Sequence, residues 1–265
     1  MSQKLGNWCL PDTLSQIEDG MFYGCENIAN ISIPETVSSI GSSAFERCEK
    51  LNNIVIPKRI TSIEDSTFAN CKTLGSVILP EGITNIGASA FFQCSNLKSV
   101  VIPNSVVSIG NSAFQECTAL ISFTMPDNLV WIGNAAFWEC SRLKSVDLPN
   151  SVISIGTDVF YLCEELESVT IGSGIVNISD TAFQDCINLK NVFILDGVST
   201  IGNDAFWNCR KLSHITIPNS VRHIYGDAFG SCTSLKAVNI PGHTVIAGNS
   251  FPPCTQIIRQ SEGKK

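Results

Sequence analysis

Leu97–Cys117, read LKSVVIPNSVVSIGNSAFQEC, is one turn of a pattern that runs through nearly the whole chain. Its cysteine is one of ten, Cys25, Cys48, Cys71, Cys94, Cys117, Cys140, Cys163, Cys186, Cys209 and Cys232, that follow one another every 23 residues without a slip. Counted from each cysteine, Leu or Ile stands three residues on and further apolar residues at six and eight. Proline holds position nine in eight turns (Pro34, Pro57, Pro80, Pro103, Pro126, Pro149, Pro218, Pro241). Position fifteen is isoleucine in nine consecutive turns from Ile40 to Ile224. Position twenty is phenylalanine from Phe45 to Phe229, with Phe22 and Phe251 extending the series at its two ends.

Within a turn, Leu-x-x-Val-x-Ile-Pro places apolar residues two apart before a proline, which is strand spacing with a stop at its end. Val-x-x-Ile-Gly reads as a second extended piece that ends in a bend, because glycine adopts backbone conformations that other residues resist. The Asn, Asp or Ser that follows is placed to cap a short helical turn carrying Ala-Phe-x-x-Cys. A lone turn would leave both its faces open, and only stacking, with strand hydrogen bonds between turns, covers them. The expected fold is a solenoid: a right-handed β-rich coil with a continuous parallel sheet and short helical corners. At ~4.8 Å per strand, about eleven turns span about 50 Å.

The chain has 265 residues, 44 % of them apolar and 15 % charged, which supplies a continuous core and too little charge for disorder. Length alone would suggest two domains, but the repeat replaces that prior with one elongated domain. The net charge of −7 argues against a nucleic-acid backbone or an anionic membrane surface as the main partner, since Lys and Arg supply that affinity. Met1 to Leu10 is short and polar and lacks the apolar stretch of a secretory signal, and no run approaches a membrane span. Taken as it stands, the chain is expected to be cytoplasmic and not inserted in a membrane.

Turns such as Leu97–Cys117 resemble the BspA-like leucine-rich repeats of bacteria and parasitic protists. The likeness rests on the 23-residue period together with the Pro, Ile-Gly, Ala-Phe and Cys positions, and it covers nearly the whole chain. It implies a leucine-rich-repeat solenoid acting in adhesion or protein–protein interaction, without a catalytic site, at a cell surface or secreted. The copies depart from the pattern where Gly172 and Leu195 replace the proline, and where Glu64, Ser179 and Tyr225 replace the glycine. Neutral drift in a tolerant repeat is the leading reading of these departures, and local bending of the stack the alternative. Residues 1–24 read as a partial N-terminal repeat acting as a cap, with Leu5, Trp8, Leu10, Leu14, Ile17, Met21 and Phe22 in place. Residues 25–254 hold ten 23-residue repeats, and 255–265 a polar C-terminal tail. An open sheet edge there makes the oligomeric state either a monomer or a weak end-to-end dimer.

The ten periodic cysteines point the same way into one layer, an arrangement that suits packing better than disulfides, whose torsion near 90° would turn the side chains out of it. Without paired cysteines at two- to four-residue spacing, zinc is not expected. A ladder of buried free thiols is expected instead, with Cys9 off the ladder and open. His214, His223 and His243 lie at different phases, no triad is readable, and Gly172-Ser173-Gly174 lacks the helix that a phosphate loop needs. No catalytic residue, metal or cofactor is expected.

Two surfaces remain as binding candidates. Position seven faces outward from the strand and includes Val55, Ile78, Val101, Thr124, Asp147 and Phe193. Val55, Ile78 and Val101 there form an apolar track, explained either as a protein contact or as β-former preference on a parallel sheet. Position five is Asn, Ser or His in nine of ten turns, giving a polar stripe beside that track. The second surface is an aromatic edge at position twenty-one, with Phe92, Trp138, Tyr161 and Trp207, and Trp131 in the same turn as Trp138. Such rings anchor protein or sugar surfaces, or fold over the corner. The leading expectation is a non-enzymatic protein-binding module; a glycan-binding surface and a structural spacer are the alternatives.

Overall fold

The two extended pieces of each turn become two strands, and each strand lies parallel to its counterpart in the neighbouring turn. The computed structural model describes residues 6–260, which form a parallel β-solenoid of about eleven turns. The first ladder begins with Gly6–Cys9, Ile28–Ser32, Asn53–Val55 and Ser76–Ile78 and continues through the same phase of later turns to Gln256–Gln260. The second is built from two-residue strands, among them Ser62–Ile63, Asn85–Ile86, Ser108–Ile109, Trp131–Ile132 and Ser154–Ile155. Registers hold like against like: Ile54 faces Val77, Ser145 faces Ser168, and Ile132 faces Ile155. Pairing in the first ladder lapses between Ser76–Ile78 and Ser99–Val101, between Ser122–Thr124 and Ser145–Leu148, and again after Asn191–Ile194, so the expected continuous sheet is two ladders, each in segments. Register is kept through Gly172 and Leu195, where Ser168–Ile171 and Asn191–Ile194 pair residue for residue.

The corners are not helical, which corrects the sequence reading. No helix occurs among the described residues. Each corner is a chain of tight turns with two residues in the left-handed region, Ser43 (φ 54°) and Arg47 (φ 59°) in one turn and Ser112 and Glu116 in another. Alternate amides close local turns, Ala44 onto Gly41, Glu46 onto Ser43 and Cys48 onto Phe45. The amides between them reach the next turn: Ser43, Phe45 and Arg47 donate to the carbonyls of Asp65, Thr67 and Ala69 at 2.8–2.9 Å. A helix would spend every interior amide on its own chain. The turn chain instead sends every second one along the stack, which offsets the roughly 1 kcal/mol cost of each left-handed residue.

The polar residue at position seventeen, after the glycine or the residue that replaces it, has the same duty. Instead of capping a helix, Asp65 Oδ1 accepts the Ala88 amide at 2.7 Å and Asn111 Oδ1 the Asn134 amide at 2.8 Å, each one turn on.

The core is stacked in columns. The phenylalanines from Phe22 to Phe251 lie with ring centroids 4.9–5.5 Å apart and planes within 14°. That spacing is the rise of one turn, so the rings stack because the backbone repeats. Trp8 meets Phe22 edge-on at 6.4 Å and closes one end of the column. Beside it, the cysteines from Cys48 to Cys232 are free and buried, Cys25 is half-buried, and Cys9 and Cys254 are exposed. The thiols are not only small apolar filling: each of the nine buried ones donates to a phenylalanine carbonyl one turn back, at 3.1–3.3 Å. At the far end Gln256–Gln260 pairs with Ala237–Pro241, so the coil runs past Cys254 into the stretch read as tail. Leu5 and residues 261–265 lie outside the described residues.

Burial pushes the Cys48 thiol up to about 12, with the neighbouring Cys25 thiol adding to the shift. Cys71, Cys94 and Cys140 are likewise raised, burial being the first cause in each. The thiolate is the reactive form, so a raised value suppresses reactivity below it. At about pH 8, iodoacetamide is expected to modify Cys9 and Cys254 in the folded chain and to spare Cys48 to Cys232 until denaturant is added; adducts counted by mass spectrometry decide, and native labelling of the ladder would contradict the packing described. Phe137→Ala, in the middle of the column, should cost about 3–5 kcal/mol in urea unfolding.

Candidate functional site

The outward strand positions are set by the pleat. In Asn53–Val55, Ser76–Ile78 and Ser99–Val101 the middle residue is buried and its neighbours point out. Val55, Ile78 and Val101 are thus 58 %, 61 % and 78 % exposed at the same phase of three consecutive turns. Thr124 and Asp147 continue the line as exposed polar side chains, and Phe193, 59 % exposed, stands further along it. The polar stripe beside this track bonds to itself: Ser76 Oγ donates to Asn53 Oδ1 at 2.7 Å and Asn30 Nδ2 to Asn7 Oδ1 at 2.9 Å. Part of its hydrogen-bonding capacity is therefore committed within the stack.

The aromatic group divides in two. Phe92, Trp138, Tyr161 and Trp207 sit half-buried at the corners, and Trp138 packs edge-on to Tyr161 at 5.2 Å. Trp131 is elsewhere. It lies in the second ladder, in register with Ser108 and Ser154, 39 % exposed. The turn that holds both tryptophans carries them on different faces, because position fourteen belongs to a strand and position twenty-one to a corner.

A further surface was not read from the sequence. Position thirteen, just before or at the start of the second ladder, holds Val107, Val130, Ile153 and Val176 in four successive turns, 40 %, 38 %, 61 % and 51 % exposed. Earlier turns carry Ser38, Thr61 and Thr84 there, and that switch from hydroxyl to aliphatic is the signal in the sequence.

Titratable groups show little concentration. Glu49, Glu165 and Glu167 are held below the usual carboxylate range by hydrogen bonds from Lys72, Lys144 and Lys190. These are exposed pairs of the kind that contributes little to stability. Asp204 is raised by burial and by Asp227 and Asp180. His223 lies over Tyr225 at 6.2 Å, and a ring nitrogen of His243 is 3.1 Å from the Asn219 carbonyl. Among the described residues no three His, Cys, Asp or Glu side chains are grouped to hold a metal ion, and no helix is long and apolar enough to cross a membrane.

The sequence profile of the BspA type leucine rich repeat region, six copies, matches residues 1–121, 86–209 and 131–258. The chain belongs to the BspA-type leucine-rich-repeat family. As such it is a repeat module of the binding or scaffold kind, in a family that is generally non-enzymatic. A leucine-rich cell surface protein from Faecalibacterium prausnitzii is similar in structure at 22 % identity and a TM-score of 0.60, over 99 % of this chain and 89 % of that one. A leucine-rich repeat protein from Eubacterium ventriosum is similar at 18 % identity and a TM-score of 0.61, over 98 % and 85 %. One from Bacteroides ovatus shares 25 % identity over 96 % and 92 %, with a TM-score of 0.44. These likenesses concern the fold. No curated protein matches the chain.

The floor of the second ladder is close-packed BspA-type backbone. A Cβ on Gly133 would fall 2.5 Å from the Asn111 amide nitrogen and one on Gly110 2.6 Å from that of Ala88. Gly133→Ala is expected to force two turns apart and to weaken the Asn134-to-Asn111 bond, costing about 1–3 kcal/mol. The midpoint of urea unfolding measures this, and an unchanged midpoint would contradict it.

Proposed function

We propose that this BspA-type chain is a protein-docking module, adhesin-like or scaffolding, that uses the outer face of the first ladder. The observation that carries this reading is the track of Val55, Ile78 and Val101: three aliphatic side chains held in water, at one phase of adjacent turns. Burying such a side chain is worth about 1.5–3 kcal/mol, so a partner that covers all three gains a substantial part of its affinity from them. Thr124, Asp147 and Phe193 extend the same face, and the polar stripe forms one rim of it.

The test is a capture experiment with the immobilised chain and its Val55→Ser/Ile78→Ser/Val101→Ser variant, whose folding is checked by circular dichroism. Proteins retained by the parent should be lost from the variant. Retention unchanged by the triple substitution rejects this face as the docking site. A chain that retains nothing in either form supports the spacer alternative.

A further inference from the structure

The second ladder carries an open trough that neither the aliphatic track nor the corner aromatics use. We propose that this trough is a binding site for a neutral oligosaccharide lying along the solenoid axis, with Trp131 as its stacking platform. A depression of about 440 Å³ opens beside Trp131 and is lined by Glu64, Asp65, Asn85, Ser108 and Asn111 over a floor that includes Gly110. A second, of about 410 Å³, lies on the same face further along, between Asn177, Asp180, Thr200, Asn203 and Tyr225. Trp131 and His223, beside Tyr225, occupy the same strand position four turns apart, about 19 Å at ~4.8 Å per turn.

Three properties select a sugar. First, Gly87 and Gly110 keep the floor shallow, and Ile63 and Ile86 beside them are buried. The glycines have no side chain and their turns are in backbone contact, so there is no apolar hole for a peptide side chain to fill. A pyranose ring needs none, because it lays its C–H face on an aromatic plate and turns its hydroxyls to the rim. Trp131 offers such a plate: 39 % of it is exposed, and among the described residues no other ring packs on it. Second, the rim repeats. Asn85 Oδ1 accepts the Ser108 hydroxyl at 2.7 Å, and Asn177 Oδ1 accepts that of Thr200 at 2.7 Å. The ladder thus presents amide and hydroxyl groups once per turn, a period that suits successive rings of an extended chain. Third, the charge is one-sided. Glu64, Asp65 and Asp180 line the depressions and no Lys or Arg does, which favours neutral or amino sugars and repels uronates and sulfated glycans.

A glycan array carrying neutral, amino-sugar and acidic oligosaccharides provides the probe, followed by calorimetric titration of the best neutral hit. Binding should fall about tenfold in Trp131→Ala, the equivalent of one aromatic stacking contact, and be retained in Trp138→Ala, which alters a ring at the corner. Asn85→Ala, on the exposed rim, should weaken it by a smaller factor without touching the core. The Val55→Ser/Ile78→Ser/Val101→Ser variant should bind the glycan as the parent does, so the two sites fail or succeed separately. An array without a neutral hit, preferential binding of acidic glycans, or equal affinity in Trp131→Ala and the parent would each overturn the proposal.

Discussion

Every buried position in the body of this chain packs against its counterpart one turn away. Neighbouring turns stand about one strand spacing apart, so a side chain at a given phase meets the side chain 23 residues before and after it. Few residue types fit themselves well at that distance. Flat phenyl rings do, and they form a column of nearly parallel plates from Phe22 to Phe251. Isoleucine does at position fifteen. Cysteine fits for two reasons: it is small enough for its slot, and its S–H reaches a carbonyl one turn away, so the same atom fills space and ties turns together. The regularity of the sequence follows from this self-contact.

The corners show how far the constraint reaches into the backbone. A helix would satisfy its own amides and present none to the next turn. The observed chain of turns, with left-handed residues such as Ser43 and Arg47, splits the amides between local closure and the neighbour. The oxygens of Asp65, Asn111 and Asp180 each take an amide one turn on. These groups are conspicuous polar surface residues, yet their hydrogen bonds are partly used in holding the stack.

What remains for recognition is the set of outward positions with no part in stacking. On the first ladder these are the aliphatic residues Val55, Ile78 and Val101; on the second, Trp131; between the strands, Val107, Val130, Ile153 and Val176. Variation is free at these places, since changing one does not disturb a column. The scaffold and its surfaces are therefore separable.

The sequence by itself determined the repeat length, the columns of Phe, Ile and Cys, the alternation that exposes Val55, Ile78 and Val101, and the family. All of these depend on periodicity, which is written along the chain. It did not determine the corners, because Ala-Phe-x-x-Cys has the spacing of a helical turn, and only contact with the next turn makes alternating amides the better use of the backbone. Nor did it separate Trp131 from Trp138, since residues seven apart in one turn share a face or not according to how the coil bends between them. The thiol-to-carbonyl bonds were equally hidden: they join residues 26 apart, and only the stacking of turns brings a cysteine under the carbonyl of the phenylalanine one turn back.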